Sequence, residues 1–125
     1  MGDVRSADIT SNCTTGYHEL PIAVLIGPVT SSSGTITAIA FKNRPHTQFI
    51  GEATADGYSS GNDYYVFGEN LTMNLATTYF GDRTGVVYKT VVKPDVVISG
   101  KDEFVNLSAD RKINYALMWL KSIQH

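Results

Sequence analysis

The chain predicts an α/β domain, on three observations. Residues 22–26, Ile-Ala-Val-Leu-Ile, form a continuous apolar run between Pro21 and a Gly27-Pro28 break, the pattern of a strand covered on both faces. From Ser33 the sequence SGTITAIAFKN places Ile36, Ile39 and Ala40 at helical spacing. The closing stretch, from about Ser108 to Ile123, carries Ile113, Ala116, Leu117, Leu120 and Ile123 as one apolar stripe. Helices alternating with apolar strands point to a mixed sheet with a helix after the first strand and an amphipathic helix at the end.

Each element has a local cause. The polar opening, rich in Thr and Ser and holding Gly16, reads as a flexible arm over residues 1–20, with the ordered domain over 21–125. The first helix runs toward Lys42 and Arg44 and stops before Pro45, which cannot continue it. Thr47–Gly51 is a second short strand, followed by EATADGYSSGND, a loop long for a tight connection. DYYVFG and LTMNLATTYF then make a hairpin around Gly68-Glu69-Asn70, with Leu71, Met73, Leu75 and Thr77 alternating against their neighbours. A turn at Gly81–Gly85 leads to VVYKTVV as another strand, and VVIS resumes in extended form after Pro94-Asp95. In the closing helix Ser108 is the expected N-cap and Asp110 lies in the first turn. Met118 and Trp119 widen the stripe and are expected to pack in the core.

Composition excludes several classes. At 125 residues the chain fits one domain able to bury about two thirds of its unfolded surface. With 10 Lys and Arg against 12 Asp and Glu, there is no basic footprint for nucleic acid. No apolar run approaches the length of a transmembrane helix. Cys13 is the only cysteine, and His18, His46 and His125 are too scattered for metal-ligand spacing, so no metal and no cofactor is expected. The first twenty residues lack the basic start and apolar middle of a secretory signal.

The segment Thr30-Ser31-Ser32-Ser33 is the most informative chemically. A strand that aims a turn, followed by a helix N-terminus with unpaired N–H groups, suits a serine nucleophile and a developing oxyanion. The alternative is that one of these serines caps the helix, a role in which Ser is strongly preferred.

The order of these segments resembles the C-terminal half of the catalytic domain in tail-specific, or C-terminal processing, serine peptidases, whose fold is related to ClpP and crotonase. Pro21–Ile26 and Thr30–Thr35 lie where that family has its Pro-Val-Ala-Val-Leu strand and nucleophile segment. Gly51-Glu52-Ala53-Thr54 matches a Gly-Glu-x-Thr segment, Pro94-Asp95 with the following apolar run matches a late Pro-Asp, and Ala116–Leu120 fits the closing helix. The resemblance implies Ser32 as nucleophile and the Ser33 backbone N–H as oxyanion donor. It also implies a supporting loop at Glu52, Asp56 and Gly57. Its substrates would be proteins or peptides, and its site of action the cell envelope or outside the cytoplasm.

Departures are equally plain. The general-base lysine of the bacterial processing enzymes corresponds to about Gly57, and Thr35 stands for the Glu after the nucleophile segment. The Asp-Leu-Arg-x-Asn-x-Gly-Gly strand that supplies a second oxyanion donor is absent. The chain thus resembles a lysine-less branch and is expected to be inactive alone, as a fragment whose base lies upstream. His18 and His46 are the histidines to weigh against ordinary surface positions, and Glu52 and Asp56 against solvated loop carboxylates. The competing reading is a peptide-binding module on the same fold, working by strand addition. A sheet edge left exposed predicts self-association.

Overall fold

The computed structural model describes residues 19–57 and 60–123. Cys13, His18, Tyr58 and His125 lie outside them, as does most of the expected flexible arm. The architecture is mixed α/β, and its parallel and antiparallel pairs form separate sheets.

Strand β1 (Ile22–Ile26) pairs in parallel with β2 (Thr47–Gly51), which pairs in parallel with a short β5 (Val96–Val97), in the order β1-β2-β5. Helix α1 (Ser33–Phe41) connects the first two strands. It ends where Lys42 N–H donates to the Ile39 carbonyl and Asn43 turns into the left-handed region at φ 55°. The core lies between α1 and the sheet: Ile26, Ala38, Ile39, Phe49 and Val92 are buried together, with Phe80 and Tyr88 packed against them.

The buried face of α1 is Thr35, Ala38 and Ile39, rotated from the expected Ile36, Ile39 and Ala40. Thr35 enters the interior because its hydroxyl donates to the Thr30 carbonyl at 3.2 Å, so burial leaves no orphaned polar group. Strand β1 departs more. Among the described residues it is an edge strand whose residues 22–24 are only half-buried and whose Leu25 is exposed, not a strand covered on both faces.

The Pro-Asp segment acts as an edge clamp on β2. The Asp95 carboxylate accepts the Phe49 N–H at 2.7 Å, and the Asp95 N–H donates to the Phe49 carbonyl at 2.8 Å. The same carboxylate meets Lys42, whose ammonium sits 3.8 Å over the Phe49 ring.

The hairpin forms as expected, as β3 (Ser60–Phe67) and β4 (Leu71–Tyr79), with β3 starting inside the predicted loop. Its turn uses Gly68 at φ 65°. Tyr65, Phe67, Leu71, Met73 and Leu75 share one face by register, and all are exposed.

The predicted strand VVYKTVV does not form. Only an isolated bridge, Gly81 to Val87, is present. The Tyr88 N–H makes the bridge bond to the Phe80 carbonyl, but the N–H groups at both ends go to side chains, Val86 to the Asp82 carboxylate and Val92 to the Thr54 hydroxyl at 2.9 Å. Asp82 organises this turn, accepting further bonds from Thr84, Tyr88 and Asn43.

A 3-10 turn (Leu107–Ala109) precedes helix α2 (Arg111–Ser122). Its N-cap is Asp110, not Ser108: the Asp110 carboxylate accepts the Lys112 and Ile113 N–H groups, while the Ser108 hydroxyl turns to Asn106. The buried positions are Lys112 and Ala116, about one residue out of phase with the expected stripe. Leu117 and Met118 are consequently exposed, against the expectation that they pack, and Trp119 is half-buried. Lys112 sets this phase by directing its ammonium inward to the strand ends.

Candidate active site

The C-terminal ends of the parallel strands carry the site. Beyond Ile26, Gly27 to Thr30 close a turn in which Thr30 N–H donates to the Gly27 carbonyl at 2.8 Å and Gly27 N–H donates to the Thr30 hydroxyl at 3.1 Å. The Thr30 carbonyl then accepts the Ala55 N–H at 3.0 Å, tying this turn to the loop after β2.

Ser32 follows with φ 50° and ψ −123°. This is a sparsely populated conformation for a residue with a Cβ, costing on the order of 1–3 kcal/mol where surrounding structure enforces it. Ser32 occupies the N-cap position of α1, and its carbonyl accepts the Ile36 N–H at 3.1 Å. Its side chain makes no capping bond. The capping alternative therefore fails at Ser32: the helix uses its carbonyl and leaves its exposed hydroxyl unspent. Among the described residues no hydrogen bond engages the Ser33 N–H, the first of the helix. An exposed hydroxyl thus stands beside an unpaired N–H at the positive end of α1.

The supporting loop divides. Gly51, at φ 124°, lies so close to β1 that a Cβ would meet the Ile26 carbonyl, and the Glu52 N–H donates to that carbonyl at 3.0 Å. The Glu52 carboxylate stands 3.8 Å from the Lys112 ammonium, which Asp102 holds at 2.6 Å. Thr54 is buried and bonds Val92 through both hydroxyl and N–H. The Gly-Glu-x-Thr segment thus works here as a brace between strand ends. Asp56 is exposed and accepts the Gly57 N–H at 2.8 Å, and Gly57 turns the chain at φ 79°. Neither bonds Ser32.

His46 lies at the opposite, N-terminal end of the parallel strands. Its carbonyl accepts the Ile22 N–H at the start of β1, and its ring is 3.8 Å from Glu19. Nine residues of α1 alone span about 14 Å between these ends. It does not serve Ser32. Among the described residues no cluster of His, Cys, Asp and Glu is arranged to hold a metal ion, and no helix is long and apolar enough to cross a membrane. Sequence reasoning missed Lys112, which lay beside the apolar stripe with no local sign of burial, and placed Asp110 in the first turn of the helix where the structure makes it the N-cap.

The sequence profile of peptidase family S41 matches residues 3–98, and this span contains the Ser32 elbow, the Gly-Glu-x-Thr brace and the Pro-Asp clamp. The chain belongs to peptidase family S41. A nisin-resistance protein of Lactococcus lactis subsp. lactis is 38% identical over 77 residues, covering 61% of this chain and 24% of that protein. A lipoprotein from Streptococcus agalactiae matches in structure with a TM-score of 0.62 and 29% identity, over 82% of this chain and 32% of its own. This S41 chain therefore spans about a quarter of the one relative and a third of the other. Its mixed α/β architecture is that of the S41-like neighbour.

Proposed function

We propose that this chain carries the nucleophile of a serine peptidase that hydrolyses peptide bonds in protein or peptide substrates. The observation that carries the reading is Ser32, held with positive φ at a strand-to-helix elbow with its hydroxyl outside the capping network. Strained residues cluster where a side chain must be presented to a substrate.

In this reading the Ser32 Oγ attacks the scissile carbonyl carbon while a base removes its proton. The carbonyl π electrons move to oxygen, and the resulting oxyanion accepts a hydrogen bond from the Ser33 N–H. Collapse expels the amine, which takes the proton from the base, and water then releases the acyl group by the same steps. One oxyanion donor contributes about 3 kcal/mol of barrier lowering. In this reading the base and the second donor are supplied by another part of the complete peptidase domain, of which this chain spans only a fraction in its relatives, and the isolated chain is expected to be inactive.

The test uses a fluorophosphonate probe and a peptide-cleavage assay on the polypeptide carrying the complete peptidase domain. Labelling and cleavage are expected in the wild type and lost in Ser32→Ala, with no labelling of the isolated chain. Cleavage that survives Ser32→Ala would overturn the assignment. The name of the Lactococcus lactis relative makes nisin a reasonable substrate to include.

A second reading, peptide binding without cleavage, is favoured by one observation. Among the described residues the outer edge of β1 is unpaired, and it borders an apolar groove that runs past Val24 and Phe41 to Gly34. An extended peptide added there would gain main-chain hydrogen bonds. Unchanged peptide affinity in the absence of any turnover would favour this reading.

A further inference from the structure

Lys112 brings to the strand ends a buried charge that the peptidase steps do not use. Its side chain is 6% exposed and lies across the C-terminal ends of β1 and β2, in a slot that two glycines leave open. A Cβ at Gly27 would stand 3.8 Å from the ammonium, and one at Gly51 would stand 3.5 Å from the Cδ of the same lysine. The methylene stem thus runs past one strand end and the charge reaches the other. Asp102 at 2.6 Å and Glu52 at 3.8 Å compensate that charge.

The nucleophile turn hangs from these strand ends. The Glu52 N–H donates to the Ile26 carbonyl at 3.0 Å, so the carboxylate that meets Lys112 belongs to a residue that itself joins β2 to β1. Just beyond Ile26, the Gly27 N–H donates to the Thr30 hydroxyl and the Thr30 N–H donates to the Gly27 carbonyl. The Thr30 carbonyl then accepts the Ala55 N–H at 3.0 Å and the Thr35 hydroxyl at 3.2 Å. Thr30 is therefore fixed to the platform that Lys112 spans by two routes, through Gly27 and through the Glu52–Ala55 loop. Ser32 stands two residues further on, and the next anchor is its own carbonyl, which accepts the Ile36 N–H. Since its side chain makes no capping bond, its positive φ is imposed by the anchors on either side. A shift of the platform moves the first of them.

We infer that Lys112 is a positioning residue for Ser32: by drawing Glu52 and Asp102 together across the strand ends, it fixes the angle at which the elbow presents the serine hydroxyl. The closing helix thereby governs a nucleophile encoded far upstream. What the serine does rests on the peptidase reading, whereas the contacts that hold it are independent of that reading.

The polypeptide carrying the complete peptidase domain tests this as wild type, Lys112→Met and Asp110→Ala. Methionine keeps most of the stem and removes the charge, whereas Asp110→Ala removes the cap of the same helix and leaves the ammonium in place. Fluorophosphonate labelling rate, kcat and KM are taken per folded molecule, with the folded fraction read from urea unfolding, and amide hydrogen exchange is followed at Ala55. Lys112→Met is expected to lower kcat and the labelling rate about tenfold or more and to leave KM within about twofold, because a displaced nucleophile loses orientation and not substrate contacts. Exchange at Ala55 should quicken in the same variant, and Asp110→Ala should match the wild type in all four measurements. Asp102→Asn weakens the ion pair from its other side and is expected to repeat the pattern at about threefold, so the test survives a Lys112→Met chain that does not fold. Unchanged rates per folded molecule and unchanged Ala55 exchange overturn the inference and leave the peptidase standing. An equal fall in Asp110→Ala also overturns it, since the helix would then act through stability alone. Faster Ala55 exchange in Lys112→Met, in a protein whose wild type neither labels nor cleaves, upholds the hold of Lys112 on the elbow and removes the peptidase.

Discussion

Ser32 sets function against stability at a single backbone position. Glycine tolerates positive φ without a Cβ penalty, so Ser32→Gly should raise the stability of the chain by about 1 kcal/mol while removing the hydroxyl. Ser32→Ala keeps the Cβ and should give no such gain. Urea unfolding of the two variants compares them directly, and equal midpoints would mean that the elbow is not strained. Lys112 makes the opposite case. Its ammonium is nearly inaccessible, while its partners Glu52 and Asp102 remain about 30% exposed. Lys112→Ala leaves two carboxylates facing each other at the strand ends and should cost about 2–3 kcal/mol, below the full penalty of a buried pair because both can still hydrate. Asp102→Ala should cost less, and a reversed order in thermal or urea melts would show that the ammonium is not the hub.

Caps and turns decide where the elements stop. Asp110→Ala removes two N–H acceptances at the start of α2 and should destabilise by about 1 kcal/mol, whereas Ser108→Ala should be close to neutral. Acid sensitivity follows from the same carboxylates. Hydrogen bonds from the Glu103 and Ile113 N–H groups hold Asp110 below the usual carboxylate range. At Asp82 burial pushes upward, but bonds from Thr84, Tyr88 and Val86 outweigh it and leave the carboxyl lowered. Burial and the bond to Asp82 raise Tyr88 in turn. A depressed carboxylate contributes stability above its unfolded value and loses it as pH falls through its folded value. Wild-type stability should therefore decline below about pH 4, and Asp82→Asn and Asp110→Asn should each flatten that decline. An unaltered acid limb in both variants would contradict these assignments. The first two strands, the first helix and the hairpin were legible because apolar periodicity and Gly or Pro punctuation are local signals. VVYKTVV was not, because side chains claim the N–H groups at its ends, Asp82 that of Val86 and the far-upstream Thr54 that of Val92.

The whole molecule leaves apolar surface uncovered. Among the described residues β1 stands at a sheet edge without a charge to guard it, one face of the hairpin is exposed, and Leu117 and Met118 point outward on α2. Such an edge is a template for pairing with another chain. We propose self-association of the isolated chain through β1, read as concentration-dependent mass in sedimentation. Leu25→Lys, at an exposed position on that edge, should suppress it, and a wild type that stays monomeric at high concentration would refute it.

The elbow motif, its following helix and the family resemblance could all be read from the order of residues, because each depends on neighbours within a few positions. The conformation of Ser32 could not, since positive φ at a serine persists only where contacts from elsewhere enforce it. Burial of Lys112 and the phase of α2 likewise depend on partners elsewhere in the chain, Asp102 and Glu52 for the ammonium. Local periodicity specifies which face of an element is apolar, but the charge that pairs across a sheet end does so only once the elements have packed.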